Sequence, residues 1–286
     1  LRSPTPAGQP LASPELVGVL VGAGDIAECS ANGDEQTAAI LDAVVEEHPE
    51  AIVFTTGDGA YQDGSEEEYH TCYGPSWGRH KDRTRPAVGN HDFKQRQASG
   101  YHAYYGDRGG EFDLYYYSYD INGWHIVVLN SECHRVGCDF DSDDGEQVEW
   151  LAADLAASDA SCTIAMWHHP RWSSGRYSND VDYDRIWEVL YEHGVEIVLN
   201  GHEHLYERFE PMNPDGELDE NRGIRQFIVG TGGGNLRDFE NIQPNSAARG
   251  VDHGVLRLDL RQTSYDWEFM PVAGGTFTDA GSGRCH

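Results

Sequence analysis

Short apolar stretches of strand length recur along this chain, and most of them end at a compact group of polar residues. Such an alternation, with helical patterns between the stretches, restricts the chain to folds in which loops gather at one edge of a sheet. The loops would bring carboxylates, an amide, a phenol and imidazoles together, which are residue types that bind metal ions. The five groups are Gly24-Asp25, Gly57-Asp58-Gly59-Ala60-Tyr61, Gly89-Asn90-His91-Asp92, Trp167-His168-His169-Pro170 and Gly201-His202-Glu203-His204.

The first strands and helix form a predicted βαβ unit. Residues 16–21 and 51–55 are apolar strands, and residues 35–48 have helical spacing. Helices are also predicted over 145–157 and 182–193, the second closed by Gly194, and Asn122-Gly123 predicts a hairpin turn. Residues 224–229, 254–260 and 265–270 alternate in a pattern typical of antiparallel strands. We expect one catalytic domain over residues 15–286, preceded by a proline-containing extended lead-in over residues 1–14.

Charge and cysteine content indicate the environment and the partners. The 49 acidic residues exceed the 20 basic ones, which disfavours nucleic acid or an anionic membrane as a partner. The acidic surface fits salt adaptation or a bias of the lineage. The six cysteines include no CxxC pair, so disulfides in an oxidising compartment are expected, with Cys133–Cys138 the clearest pair and Cys29–Cys72 and Cys162–Cys285 one option among several. With no leader or membrane-spanning pattern, we interpret the chain as a mature secreted form and a monomer.

The polar groups predict a site for two metal ions. A bridging carboxylate holds two cations roughly 3.5–4 Å apart, and Asp58 is the natural bridge. Asp25 would then bind one ion, and Asn90 and His168 the other, while His202 and His204, two positions apart, would reach both sides. If the phenol of Tyr61 is also a ligand, it implies a strongly Lewis-acidic ion such as ferric iron. Alternatively, Tyr61 only packs beside the turn.

The ordered set of motifs resembles the calcineurin-like metallophosphoesterase superfamily, in particular its purple acid phosphatase-like branch and the secreted actinobacterial phosphatases within it. The resemblance covers residues 16–234 and includes sequence segments outside the five groups, such as Trp77-Gly78-Arg79 and Tyr206-Glu207-Arg208. It implies a four-layer α/β/β/α sandwich of two mixed sheets flanked by helices, with the metals at the strand ends. It also implies hydrolysis of phosphate esters by a metal-bound hydroxide.

The resemblance also implies a role for each matching position. Ala27 stands where many superfamily members have a histidine, which agrees with Tyr61 acting as a ligand. His91 would contact the phosphate and protonate the leaving oxygen, with Asp92 orienting its ring. Substrate contacts are expected from Asn90, His91, His169, Arg171 and Arg208. The implied metal ligands are Asp25, Asp58, Tyr61 and His204 for Fe(III), and Asp58, Asn90, His168 and His202 for Fe(II), Zn or Mn.

Several alternatives remain at this point. Phosphorylated small molecules are the expected substrates, with monoesters favoured over diesters, although the groove shape that decides between them is not readable from the sequence. Gly22-x-Gly24-x-x-Ala27 matches a dinucleotide fingerprint and would make the protein an oxidoreductase, but the predicted helix starts too late to meet a pyrophosphate. Asp139-x-Asp141-x-Asp143 resembles the start of a calcium loop but lacks its later ligands. A non-catalytic binding module would require the loss of a ligand.

Overall fold

A computed structural model describes residues 15–139, 142 and 144–286. The predicted lead-in over residues 1–14 lies outside the described residues, as do Asp141 and Asp143 of the acidic loop. None of the described helices combines the length and the apolar character that a bilayer crossing requires.

The described chain alternates strands and helices in its first two thirds and continues mainly with strands. The helices are α1 (Gly33–Glu47), α2 (Glu66–Glu68), α3 (Ser99–Tyr105), α4 (Glu146–Ala157) and α5 (Asp184–Glu192). The strands are β1 (Leu16–Ala23), β2 (Ala27–Glu28), β3 (Ile52–Thr56), β4 (Ala60–Tyr61), β5 (Thr84–Ala87), β6 (Tyr117–Ile121), β7 (Trp124–Val128), β8 (Cys162–Met166), β9 (Ile197–Asn200), β10 (Tyr206–Phe209), β11 (Arg225–Val229), β12 (Ser246–Gly250), β13 (Gly254–Arg261), β14 (Ser264–Pro271) and β15 (Asp279–Arg284).

Two mixed sheets form the centre of the molecule. The first has the strand order β15-β14-β13-β1-β3-β5, and the second has the order β12-β10-β11-β9-β8-β7-β6. Strands β1, β3 and β5 are mutually parallel, as are β7, β8, β9 and β11, whereas β13, β14 and β15 run antiparallel to their neighbours. The carboxyl ends of the parallel strands therefore point to one edge of each sheet.

The sheets pack face to face through aromatic side chains. On β14, the rings of Tyr265 and Trp267 lie 6.0 Å and 5.7 Å from those of Trp124 and Phe227 in the second sheet. Successive side chains of the second sheet point to opposite faces. Ile126 is part of the inter-sheet core, and its neighbour Val127 packs on the outer face in the cluster formed with α4 and α5. The predicted fold of two mixed sheets flanked by helices is confirmed.

Local patterns explain most of the element boundaries. Helix α1 buries Ala38, Leu41 and Val44, which recur at helical spacing on one face. The predicted hairpin turn is present, since Asn122 and Gly123 both have positive φ, 44° and 101°, as a two-residue turn of this kind requires. Gly194 follows α5 with φ of 71°, in agreement with its predicted place at the helix end.

Three disulfides are present in the described chain, and two of them link distant segments. They are Cys29–Cys72, Cys133–Cys138 and Cys162–Cys285, with Cα–Cα distances of 5.0, 5.1 and 5.5 Å. The expected pairing is confirmed. The first bond ties the segment after β2 to the helical turn after α2, and the third ties the start of β8 to the end of β15.

Candidate metal centre

Each predicted ligand group follows a strand, at the carboxyl-end edge of its sheet. Asp25 follows β1, Asp58 follows β3, Asn90 follows β5, His168 follows β8, and His202 and His204 follow β9. Asp25, Asp58 and His202 have φ of 58°, 51° and 67°, a left-handed conformation that non-glycine residues seldom adopt. The surrounding structure holds this strain so that the three side chains turn towards one point.

One group of ligand atoms surrounds the phenol of Tyr61. Its oxygen lies 2.7 Å from Asp25 Oδ1, 3.2 Å from Asp58 Oδ2 and 3.2 Å from His204 Nε2. His204 Nε2 lies 3.3 Å from Asp25 Oδ1. Four donor atoms at these separations surround a space of the size that one transition-metal ion requires.

A second group surrounds the imidazole of His168. Its Nε2 lies 3.3 Å from Asp58 Oδ2, 3.1 Å from Asn90 Oδ1 and 3.2 Å from His202 Nδ1. Asp58 Oδ2 therefore belongs to both groups, and the structure brings the predicted seven ligands together in the predicted two sets.

Hydrogen bonds outside the two groups fix the orientation of the ligands. His168 Nδ1 donates to the Thr56 carbonyl at 2.7 Å, and His204 Nδ1 donates to the Asn235 carbonyl at 2.7 Å. Because a carbonyl oxygen can only accept, each Nδ1 carries the proton and each Nε2 is left to offer a lone pair to a metal. The second oxygens of Asp25 and Asp58 accept the backbone N–H groups of His202 and His91, each at 2.8 Å.

The site is buried and its charges are strongly coupled. Asp25, Asp58 and His168 are at most 1% exposed. Burial opposes the charged form of Asp58, but His168 and His91 outweigh it and hold the Asp58 pKa far below its usual value. Burial likewise opposes protonation of His168, yet Asp58 and Asp25 raise its pKa to about 10. Burial and the charge of His168 lower the pKa of His202 to about 3, and Arg237 contributes in the same direction. A cation would replace the His168 proton as partner of these carboxylates.

Tyr61 is protonated in the absence of a metal. Burial and the neighbouring Asp25 and Asp58 raise its pKa well above 10, and its hydroxyl donates to Asp25. Only a strongly Lewis-acidic cation would displace that proton and bind the phenolate. The side chain does not merely pack beside the turn, because its oxygen is shared among Asp25, Asp58 and His204.

His91 lies at the opening of the site, with Nε2 4.0 Å from Asp58 Oδ2. The predicted pairing of His91 with Asp92 is wrong. The Asp92 carboxylate is fully buried and accepts hydrogen bonds from Gly89 N, Asp58 N and the Tyr69 hydroxyl, so it shapes the turn that carries Asp58. The Gln62 carbonyl takes the expected position instead and accepts from His91 Nδ1 at 2.7 Å.

The two arginines predicted to contact substrate have structural partners. Arg171 is buried, pairs with Asp184 and lies 3.9 Å over the ring of Trp172. Arg208 donates to both oxygens of Asp279. The prediction for Arg208 is corrected, because its guanidinium holds the start of β15 in place. Arg171 holds the start of α5, but its Nη1 has no hydrogen-bond partner in the described part of the chain, so its contact with substrate stays a prediction.

His169 lies behind the ligands. Its ring centroid is 4.2 Å from that of His202, and its Nδ1 contacts the Ser131 hydroxyl at 2.8 Å. It therefore supports the ring of a predicted ligand. Whether it also contacts substrate stays a prediction.

Three residues near the site escaped the sequence analysis. Lys94 Nζ donates to the same Gln62 carbonyl at 2.9 Å, Tyr177 places its ring 4.4 Å from that of His202, and Arg237 lines the cavity beside His204. The glycine run Gly232-Gly233-Gly234 forms a turn at the site, where Gly234 N donates to the Asp25 carbonyl. That turn, three residues before Arg237, is the only local signal that pointed to this region.

The dinucleotide alternative is not supported by the local geometry. Helix α1 begins at Gly33, well after the Gly22-x-Gly24 turn, so its amino end does not meet that turn. Gly22 is required for packing instead, because a Cβ there would come within 2.0 Å of the Phe54 carbonyl oxygen.

Comparison with known proteins agrees with this geometry. The family model described as calcineurin-like phosphoesterase matches residues 20–206. Purple acid phosphatase 15 of Arabidopsis thaliana is 35% identical over 133 residues, which are 44% of this chain and 24% of the relative. An acid phosphatase of Aspergillus ficuum is 30% identical over 159 residues, 47% of this chain and 26% of the relative. The chain thus spans only about a quarter of the length of these relatives.

Solved structures show the same fold. The purple acid phosphatase PPD1 from yellow lupin superimposes with a TM-score of 0.75 at 18% identity, covering 93% of this chain and 53% of that one. GAP50, the anchor in the inner membrane complex of Plasmodium, superimposes with a TM-score of 0.73 at 12% identity, covering 95% and 90%. Together with the ligand set at the strand ends, these matches confirm the predicted resemblance: the chain belongs to the calcineurin-like phosphoesterase family and is similar to its purple acid phosphatases.

Proposed function

We propose that this protein hydrolyses phosphate monoesters at a site for two metal ions. The observation that carries the proposal is the shared Asp58 Oδ2, which lies 3.2 Å from Tyr61 oxygen and 3.3 Å from His168 Nε2. A carboxylate oxygen at the junction of two ligand groups is the arrangement that holds paired cations over one phosphoryl group.

The donor set fits two different ions. Asp25, Asp58, Tyr61 and His204 would hold Fe(III), because a phenolate favours a trivalent ion. Asp58, Asn90, His168 and His202 would hold Fe(II), Zn or Mn. When bound, the pair would supply Lewis-acid activation of the phosphoryl group and of the attacking water.

His91 would protonate the leaving oxygen. Its Nδ1 proton is engaged by the Gln62 carbonyl, so Nε2 faces the site and can carry the transferable proton. The ring lines a cavity of about 190 Å³ together with Tyr61, Gln62 and His204.

The surroundings support small phosphorylated substrates in an oxidising environment. A net charge of −29 opposes binding of nucleic acid or anionic membranes, and the three disulfides fit secretion. We propose that the protein is secreted and acts as a monomer.

Metal analysis with a visible spectrum and a paired kinetic assay tests the proposal. We expect two metal ions per chain, a broad visible absorption that Tyr61→Phe removes, and hydrolysis of p-nitrophenyl phosphate that a chelator abolishes. Faster turnover of bis(p-nitrophenyl) phosphate than of the monoester would show that the protein is a diesterase rather than a monoesterase. A colourless protein with two zinc or manganese ions would remove iron and the phenolate from the proposal but keep the hydrolase.

A further inference from the structure

Arg237 extends from the glycine turn beside the metal centre into the substrate cavity. Its backbone N–H donates to the carbonyl of His204 at 2.9 Å, which fixes the start of the side chain beside one ligand group. Its guanidinium lies 5.6 Å over the ring of Tyr177, and that ring lies 4.4 Å from His202 of the other group. The guanidinium therefore lies next to both halves of the centre.

Apart from the Tyr177 ring, no contact within the described part of the chain occupies Nη1 of this guanidinium. Its Nη1 is buried and has no hydrogen-bond partner there, whereas Arg208 donates from Nε and Nη2 to the two oxygens of Asp279. A buried N–H donor without a partner is costly, and one that lines a cavity is ready for an anionic group.

The loop that carries the Tyr177 ring is held by the segment between two predicted ligands. The buried Glu203 stands between His202 and His204 and accepts the backbone N–H groups of Tyr177 at 2.6 Å and Arg176 at 3.1 Å. The loop that carries Tyr177 is thus fixed to the segment that supplies two ligands. Cation–π contact with this ring then fixes the guanidinium over the site.

We propose that Arg237, supported by Tyr177, binds the non-bridging oxygens of the phosphoryl group and favours dianionic monoesters over monoanionic diesters. This inference rests on the proposed function. In a chain of net charge −29, a local cation at the cavity offsets the long-range repulsion of phosphate. A monoester carries up to two negative charges at neutral pH and a diester one, so the monoester gains more from the guanidinium.

The experiment compares Arg237→Gln, Arg237→Lys and a matched control in the metal-loaded protein. Arg222 provides the control, because its guanidinium also lies over a tyrosine ring, 4.9 Å from that of Tyr191, outside the site. For each variant we would measure metal content, kcat/KM for p-nitrophenyl phosphate and its bis ester, and the Kd of inorganic phosphate by calorimetry.

For Arg237→Gln we expect an unchanged metal content, a loss in monoester kcat/KM of about 100-fold, a smaller loss of about 10-fold for the diester, and phosphate binding weaker by about 10-fold. Arg237→Lys recovers part of the affinity, because lysine keeps the charge but not the bidentate geometry. Arg222→Gln leaves all values unchanged.

Two results would overturn the inference. In one, Arg237→Gln binds phosphate as tightly as the unmodified protein; in the other, both esters lose activity equally because metal is lost. An unmodified, metal-loaded protein that binds phosphate but hydrolyses neither ester would refute the proposed function, and phosphate affinity would still decide the role of Arg237.

Discussion

Two clusters of histidine and carboxylate lie at opposite ends of the second sheet, and only one is built to hold a metal. At the metal centre, His168 and His204 each give Nδ1 to a backbone carbonyl and turn Nε2 towards a carboxylate. At the start of β7, His125 contacts Asp120 with Nδ1 and Asp154 with Nε2, both at 2.8 Å.

The partner of the second ring nitrogen distinguishes the two clusters. Because carboxylates accept on both sides of His125, the ring donates twice and is a cation; its side-chain hydrogen bond to Asp154 raises its pKa despite partial burial. That ring offers no lone pair. At the metal centre a neutral carbonyl accepts one proton, and the second proton of His168 is one that a cation would displace, because Asn90 Oδ1 and His202 Nδ1 also lie beside that nitrogen as further ligand atoms. Identical residue types thus give an internal ion pair in one place and a ligand set in the other.

The largest effect should come from removing the charge of the Asp58 carboxylate that the two ligand groups share. We expect Asp58→Asn to lose at least one of the two ions and to lower turnover by about 1000-fold, because the amide has no charge to bridge two cations. Asp120→Asn is the matched change in the other cluster, and we expect it to keep both ions and full turnover. Elemental analysis and p-nitrophenyl phosphate kinetics measure both. Retained turnover in Asp58→Asn would contradict the bridge.

A smaller, pH-dependent effect should come from His125→Asn. Because the pKa of His125 is raised in the folded state, its ion pair stabilises the folded protein fully below about pH 6.5. This contribution disappears as pH rises through the folded pKa of His125. The pKa of Asp154 is lowered mainly by His125 and Ser118, against burial, so its contribution disappears as pH falls below about 3.8. We expect a loss of about 2 kcal/mol in the free energy of unfolding at pH 5.5, and less at pH 9.

Urea denaturation of the metal-loaded protein at both pH values measures this loss. His70→Asn is the control, because His70 is exposed and lies 3.8 Å from Glu66 in a surface pair, where little stability is expected. An equal loss at pH 5.5 and pH 9 would show that His125 acts through packing rather than through its charge.

The smallest effect should come from Ser118→Ala, which removes the hydroxyl that donates to Asp154 Oδ1 at 2.8 Å. We expect a decrease of about 1 kcal/mol in the free energy of unfolding, with metal content and turnover unchanged. Thermal unfolding followed by circular dichroism measures it. A change in metal content would mean that the two ends of the sheet are coupled.

The sequence was sufficient to predict which candidate ligands come together, because each of them directly follows a local strand pattern. Asp25 and Asp58 stand directly after apolar strands, and parallel strands bring their ends together whatever the rest of the chain does. Strand β15 escaped prediction because residues 279–284 contain neither β-branched nor aromatic side chains and pair only with β14.

Arginine roles could not be predicted in the same way. Arg208 is matched by Asp279, 71 positions later, and Arg171 by Asp184 across a loop. Nothing near either arginine in the sequence shows that a carboxylate will occupy it, and nothing near Arg237 shows that none will. Side-chain pairing between distant segments depends on the finished packing, which residue order does not display.

The position of Asp58 Oδ2 between the two ligand groups has a thermodynamic consequence for loading the site. If the proposed pair of ions binds there, an ion in one half would change the electron density of the oxygen on which the other half depends. The affinities of the two halves would then be linked, and by reciprocity each ion would alter the binding of the other by the same factor. A titration of the metal-free protein would follow a coupled isotherm rather than the sum of two independent ones.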